Sequence, residues 1–128
     1  MAFNKKLAWI ILASLLGEAA LVLLTTVAQE VLFDGIDYYH SSLGDIFFGG
    51  LATFIAAVLA GIIASLVVRG KSFVPHIVIT VLISLEMTYL MATGIVDGPF
   101  WFDVLSGLSL VVGIWVGHYA SQSFIFRI

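Results

Sequence analysis

Four long apolar runs follow one another along the chain, and short polar segments separate them. The runs cover residues 7–33, 43–68, 73–96 and 100–124. A helix that spans a bilayer needs about 20 mostly apolar residues, because each residue rises ~1.5 Å across ~30 Å of hydrocarbon. The runs are too long for strands, and their apolar positions do not alternate. The pattern therefore predicts an all-α integral membrane protein, a single domain over residues 1–128 with four transmembrane helices.

The segments between the runs have the composition of helix ends and turns. Gly70 and Ser72 offer a helix end and an N-cap between the second and third runs. Ser42 stands three residues before Asp45, in a variant of the capping box at the start of the second run. Asp-Gly-Pro at residues 97–99 is typical of a tight turn. Because these connections are short, we expect an antiparallel bundle in which spans two to four are sequential neighbours.

The composition supports a membrane location and excludes several other classes of protein. Hydrophobic residues make up 62% of the 128 residues and charged residues only 10%, whereas soluble domains carry about 25% charged residues. The absence of cysteine excludes a disulfide scaffold. The net charge of −3, with five basic residues, excludes a nucleic-acid-binding surface.

The basic residues predict the orientation of the spans. All five fall in segments on one predicted side of the bilayer: Lys5, Lys6, Arg69, Lys71 and Arg127. Basic residues stay cytoplasmic, so we expect an N-in/C-in protein of the plasma or inner membrane with both termini cytoplasmic. Six of the eight carboxylates lie toward the opposite side: Glu30, Asp34, Asp37, Asp45, Asp97 and Asp103.

The first run also has some features of a secretory signal. Two lysines precede it, and small residues flank position 27 as they do at a cleavage site. Its length and the presence of Glu18 within it favour a retained first span instead.

The second run is lined with small residues at helical spacing. They form two adjacent rows, namely Gly49, Thr53, Ala57, Gly61 and Ser65, and Ala52, Ala56, Ala60 and Ala64. The fourth run has a shorter row of Gly113, Gly117 and Ser121. Small residues at every fourth position let two helix backbones approach closely in lipid. Two interpretations stay open: packing within one four-helix bundle, and contact with a second copy or a partner subunit.

Two carboxylates lie inside the apolar runs, Glu18 eleven residues into the first and Glu86 thirteen residues into the third. An ionised side chain at mid-membrane costs ~2.5–3.5 kcal/mol, so such residues usually face protein or water. Other polar residues share the predicted interior faces: Ser14, Thr25 and Gln29 in span one, Tyr89 and Thr93 in span three, and Asp103 in span four. Three roles stay open, namely hydrogen-bonded structural carboxyls, a proton or cation pathway, and contact with a ligand or cofactor.

Two histidines are predicted at similar depth near the cytoplasmic side, His76 in span three and His118 in span four. Similar depth is required of two axial haem ligands or of a metal site. Helical projection places His118 about 60° from the centre of its polar face and His76 about 80° from Glu86. The histidines are thus weak metal candidates, and no cofactor is predicted, with haem or quinone as the alternative. Trp115 is interpreted as a ring that faces lipid or a partner.

Residues 13–19, Ala-Ser-Leu-Leu-Gly-Glu-Ala, place a glutamate among small residues. This segment resembles the first span of the small multidrug resistance transporters, which have four short spans and exchange protons against cationic drugs at such a glutamate. The resemblance covers span one only and implies that Glu18 is a proton and substrate site. Glu86 has no counterpart in that resemblance, and the later spans lack the aromatic and glycine pattern of those transporters.

No catalytic motif occurs along the chain, neither H-E-x-x-H nor G-x-S-x-G nor a glycine-rich phosphate loop, so we do not expect an enzyme. The leading hypothesis is a small four-span subunit that packs in a homo-oligomer or a larger membrane complex. One alternative is a proton-coupled transporter or ion-conducting protein that uses Glu18 and Glu86. Another is a haem- or quinone-binding electron-transfer subunit.

Overall fold

A computed structural model of the chain describes residues 5–32, 39, 41–94 and 99–124. The described residues contain no strand and form the helices α1 (Lys5–Thr26), α2 (Leu43–Val67), α3 (Val74–Ala92) and α4 (Phe100–Phe124). A π-helical segment, Val27–Val31, extends α1. With that extension, the four helices are each long and apolar enough to cross a membrane, which confirms the predicted all-α class.

The ends of the helices follow local chemistry. The hydroxyl of Ser42 accepts a hydrogen bond from the backbone N–H of Asp45 at 3.1 Å, which confirms the predicted cap of α2. Helix α3 ends at Ala92, four residues before the predicted end at residue 96. The turn predicted at residues 97–99 lies largely outside the described residues. So do four of the charged residues that were used to orient the spans: Asp34, Asp37, Asp97 and Arg127.

A tight connection joins α2 to α3. Arg69 and Gly70 adopt left-handed backbone conformations, with φ of 56° and 70°. The N–H of Gly70 donates to the carbonyl of Ser65 at 2.8 Å, as in a Schellman helix end. From α4, the amide Nε2 of Gln122 donates to the carbonyl of Gly70 at 2.6 Å, so the connection is held against the last helix.

The helices occupy the four corners of a bundle. Helix α2 packs most extensively on α4 and α1, and α3 also contacts both of them. In the described residues, α1 and α4 have no Cα atoms within 8 Å of each other, so they lie at opposite corners. Helices α2 and α3 approach each other over a short stretch only. The expected side-by-side packing of spans two and three is limited to that stretch, whereas α3 and α4 are neighbours as predicted.

Small residues bring the backbones of α2 and α4 together. A Cβ atom added at Gly61 would overlap the carbonyl of Ile114, and one added at Gly117 would overlap the carbonyl of Val58. Of the small residues identified in the sequence on these two helices, only Ala52 is half-buried and the others are buried. The small-residue rows therefore pack within this single chain. The core includes the following residues: Leu21, Ala57, Ala60, Ala64, Ile79, Ile83 and Ile114.

One end of the bundle brings several basic residues together. Lys6 at the start of α1 shares a groove with Arg69 and Lys71 of the α2–α3 connection. The hydrogen bond between Gln122 and Gly70 places the last turns of α4 at the same end. We refer to this end as the basic end.

Candidate functional site

Glu18 and Glu86, the two carboxylates predicted at mid-span, interact directly between α1 and α3. Glu18 is the central residue of the apolar stretch Lys5–Val31, and Glu86 lies within one turn of the centre of Val74–Ala92. The two carboxyl groups lie close enough to interact, and two carboxyl groups in contact can hydrogen-bond only when one of them carries a proton. Oε1 of Glu18 is buried and has no hydrogen-bond partner among the described residues. Glu86, by contrast, is exposed on the surface of the bundle.

The other residues predicted to line a polar interior do not gather around this pair. The hydroxyls of Ser14, Thr25 and Thr93 each donate to a carbonyl of the preceding turn of their own helix. Tyr89 is 62% exposed. Asp103 is buried in the first turn of α4. The structure thus brings two of the predicted interior residues, Glu18 and Glu86, together as a carboxyl pair.

Gln29 makes a separate contact between α1 and α2. It lies in the π-helical segment Val27–Val31, and its Nε2 donates to the hydroxyl of Thr53 at 3.3 Å. The hydroxyl of Thr53 donates in turn to the carbonyl of Gly49 at 2.8 Å. A π-turn shifts the helical register of the residues that follow it, and here it brings the amide of Gln29 onto α2.

Ser65, His76 and His118 form a second polar cluster, which is buried near the basic end. Ser65 and His76 are 0% exposed and His118 is 8% exposed. The imidazole centroids lie 4.5 Å apart, with their planes tilted by 56°. The hydroxyl of Ser65 is 3.2 Å from Nε2 of His76 and 3.3 Å from Nδ1 of His118. The cluster therefore joins α2, α3 and α4 through side chains.

The carbonyl of Gly61 determines which ring nitrogen of His76 carries the hydrogen. It lies 3.0 Å from Nε2 of His76 and can only accept, so this nitrogen carries a hydrogen. The hydroxyl of Ser65 lies within hydrogen-bond range of this nitrogen and of Nδ1 of His118. Nδ1 of His76 is buried and has no partner among the described residues, as expected of the nitrogen that lacks the hydrogen. The result is a hydrogen-bond cluster in which Ser65 bridges His76 and His118.

Trp115 covers the histidines from α4. Its centroid lies 5.7 Å from that of His76 and 5.9 Å from that of His118. Its indole N–H donates to the hydroxyl of Thr80 at 3.0 Å, and that hydroxyl donates to the carbonyl of His76 at 2.7 Å. Trp115, which the sequence suggests faces lipid or a partner, is half-buried in the structure, and one edge of its ring is bound within the bundle.

The geometry of the histidine pair does not suit a haem. Axial ligands stand on opposite faces of the macrocycle with the iron between them, whereas the rings of His76 and His118 are in contact and bridged by Ser65. Within the part of the chain that the structure describes, no three His, Cys, Asp or Glu side chains are grouped to hold a metal ion. The two histidines are linked through Ser65 and the carbonyl of Gly61 between α2, α3 and α4.

The sequence contained a partial signal for this cluster. Trp115 and His118 are three residues apart on α4, and His76 and Thr80 are four apart on α3, so each pair shares a helix face. Ser65 was assigned to the packing row because its small size suits a close helix contact. Its contact with the two histidines depends on which faces of α3 and α4 pack against it. Helical projection of a single span does not predict that packing.

Comparison with protein families, curated proteins and solved structures finds no match to this chain. The resemblance to small multidrug resistance transporters rests on residues 13–19 alone.

Proposed function

We propose that this chain is an integral membrane protein with both termini cytoplasmic, and that it is a subunit of a homo-oligomer or of a larger membrane complex. Four helices apolar enough to cross a bilayer support the membrane location. The basic residues support the orientation, since Lys6, Arg69 and Lys71 meet at one end of the bundle. The observation that carries the subunit role is the position of Glu86, which lies within a membrane-span-like helix yet is exposed on the surface of the bundle.

In a lone bundle, the surface around Glu86 would contact hydrocarbon. An ionised carboxylate at that depth costs ~2.5–3.5 kcal/mol, and lipid tails offer it no hydrogen-bond partner. Leu85 and Tyr89, each 62% exposed, lie on the same surface, so the carboxyl sits within a broad open face of α3. We call these three residues the α3 face. A neighbouring protein chain supplies both apolar cover and polar partners, which is why we assign the α3 face to subunit contact.

The chain contains no cysteine, so a single introduced thiol reports on one position only. We would compare Leu85→Cys on the α3 face with Ile55→Cys, an exposed residue of α2 on the opposite side of the bundle. A thiol cross-linker applied to native membranes should trap a larger species with Leu85→Cys and leave Ile55→Cys monomeric. Equal trapping at both positions would contradict the assignment, and so would a lone monomer in native mass spectrometry of the wild type.

A second candidate function, proton-coupled transport or ion conduction, is favoured by the contact between Glu18 and Glu86. Two carboxyl groups that hold one proton between two helices can bind and release it when the helices move. In liposomes, Glu18→Gln and Glu86→Gln should each abolish a proton or cation flux while the helical content stays unchanged. Glu30→Gln is the matched control, because it removes an exposed carboxylate outside the pair. The absence of any flux from the wild type over a range of ions and pH values would count against transport.

A further inference from the structure

A groove of about 480 Å³ opens at the basic end, between the start of α1 and the α2–α3 connection. Three of its lining side chains are basic: Lys6, Arg69 and Lys71. The rest of its lining is apolar, aromatic or hydroxylic, with Trp9, Ile10, Val67, Val68 and Ser72. No carboxylate is among these lining residues. The groove therefore combines a cationic rim with an apolar wall.

We propose that this groove binds the headgroup and upper acyl region of an anionic phospholipid. Basic pockets between membrane helices bind anionic lipid headgroups through their phosphates. The basic side chains come from two separate segments, Lys6 from α1 and Arg69 and Lys71 from the connection, so they converge on one space. The volume lies within the range of about 300–1,000 Å³ that is typical of small-molecule sites.

The apolar wall favours a membrane lipid over a free phosphate ion. Ile10 and Val67 belong to the helices that are apolar enough to cross the membrane, so the wall of the groove continues along the sides of those helices. Trp9 is 50% exposed beside them, and tryptophan favours the headgroup level of a bilayer. A free phosphate would contact only the rim, whereas a lipid also places its acyl chain along the wall.

The backbone at the rim is held in place before any ligand binds. Arg69 is the only residue other than glycine with a positive φ among the described residues. Hydrogen bonds from Gly70 to the carbonyl of Ser65 and from Gln122 to the carbonyl of Gly70 restrain the connection around it. Backbone strain of this kind is found at ligand-binding positions when the surrounding structure enforces it. Here an arginine occupies a turn position where glycine would be less strained, and this arginine lines the groove.

Native mass spectrometry of the full chain in detergent tests the proposal, with phosphatidylglycerol as the probe and phosphatidylcholine as the neutral comparison. We expect retention of phosphatidylglycerol over phosphatidylcholine, and about fivefold weaker binding for each rim charge removed. The variants are Lys6→Gln, Lys71→Gln and Arg69→Gly; the last also relieves the positive φ, and its thermal unfolding in lipid-free detergent separates loss of binding from loss of the fold. Lys5→Gln is the matched control, because it removes a charge from the same end outside the groove lining.

Three outcomes would overturn the proposal. The first is equal retention of the two lipids, and the second is an effect of Lys5→Gln as large as that of Arg69→Gly. The third is full displacement of phosphatidylglycerol by an equal concentration of inorganic phosphate, which would make a free anion the ligand. The same spectra report the number of subunits separately, so a failure of the proposed assembly is distinguishable from a failure of lipid binding.

Discussion

The imidazole of His76 on α3 packs against that of His118 on α4, with 4.5 Å between ring centroids and the hydroxyl of Ser65 in hydrogen-bond range of both. This contact joins three helices in a bundle whose hydrophobic core cluster is built from aliphatic side chains, several of them alanine. Close backbone packing in lipid is non-polar and weakly directional, whereas a buried hydrogen-bond chain fixes the relative positions of the helices. The cluster is therefore a main determinant of register at the basic end.

Removal of the bridging hydroxyl should destabilise the bundle. Ser65→Ala leaves the buried Nδ1 of His118 without its hydrogen-bond partner, at a cost of about 1–3 kcal/mol. Ser121→Ala is the matched control, because Ser121 is equally buried but donates only to the carbonyl of Gly117 in its own helix. Its expected cost is about 0.5 kcal/mol or less. Thermal unfolding in detergent, followed by circular dichroism, measures both, and equal losses would show that Ser65 does not bridge the histidines.

The hydrogen-bond chain also predicts the tautomer of His76. Because the carbonyl of Gly61 accepts from Nε2, the hydrogen of this ring should be on Nε2 and not on Nδ1. Nitrogen chemical shifts of labelled histidine in the reconstituted protein distinguish the two forms, and the variant His76→Gln assigns the signal. A hydrogen found on Nδ1 and not on Nε2 would show that the carbonyl of Gly61 does not accept from this ring.

Substitution by alanine at two glycines of α2 should change the stability of the bundle in different ways. A Cβ at Gly61 would overlap the carbonyl of Ile114, whereas one at Gly50 meets no atom within 4 Å. Gly61→Ala should therefore destabilise the bundle by about 1–3 kcal/mol. Gly50→Ala should be neutral or stabilising by up to about 1 kcal/mol, because alanine loses less backbone entropy in a helix. If Gly61→Ala unfolded at the wild-type temperature, close packing of α2 on α4 would not be needed for stability.

Much of this architecture could be predicted from the sequence, because length and hydropathy act locally. Four helices follow from runs that are long enough to span a bilayer, and the cap at Ser42 follows from its spacing to Asp45. Which helices become neighbours is a property of the whole bundle, and the limited contact between α2 and α3 could not be predicted from short connections.

The packing of the helices against one another also explains which contacts of the site could not be predicted from the sequence. The pairing of Glu18 with Glu86 depends on how α1 and α3 rotate toward each other, so the sequence identified the two residues and not their contact. The hydrogen bond of Trp115 could not be predicted from its own span, because its partner, Thr80, lies on another helix. Residue chemistry along one span indicates candidates, and packing between spans decides which of them meet.

The carboxyl pair predicts a spectroscopic signal that does not depend on transport. A hydrogen bond between two carboxyl groups requires one of them to be protonated. The infrared spectrum of the reconstituted protein at neutral pH should thus contain the C=O band of a carboxylic acid. Both Glu18→Gln and Glu86→Gln should remove or shift this band, and Glu30→Gln should leave it unchanged. A wild-type spectrum without the band would show that the two groups do not share a proton.

Substitution by glycine should change the stability of the protein differently at Arg69 and at Lys71, although both residues line the same groove. Arg69 has a φ of 56°, a conformation in which glycine avoids the steric penalty of a Cβ, so Arg69→Gly should stabilise the protein by about 1 kcal/mol. Lys71 is not among the residues with a positive φ, and Lys71→Gly should lower stability slightly because it adds freedom to the unfolded chain. Thermal unfolding in lipid-free detergent separates this backbone effect from the loss of lipid binding. A lower unfolding temperature for Arg69→Gly under those conditions would mean that the arginine side chain itself supports the fold.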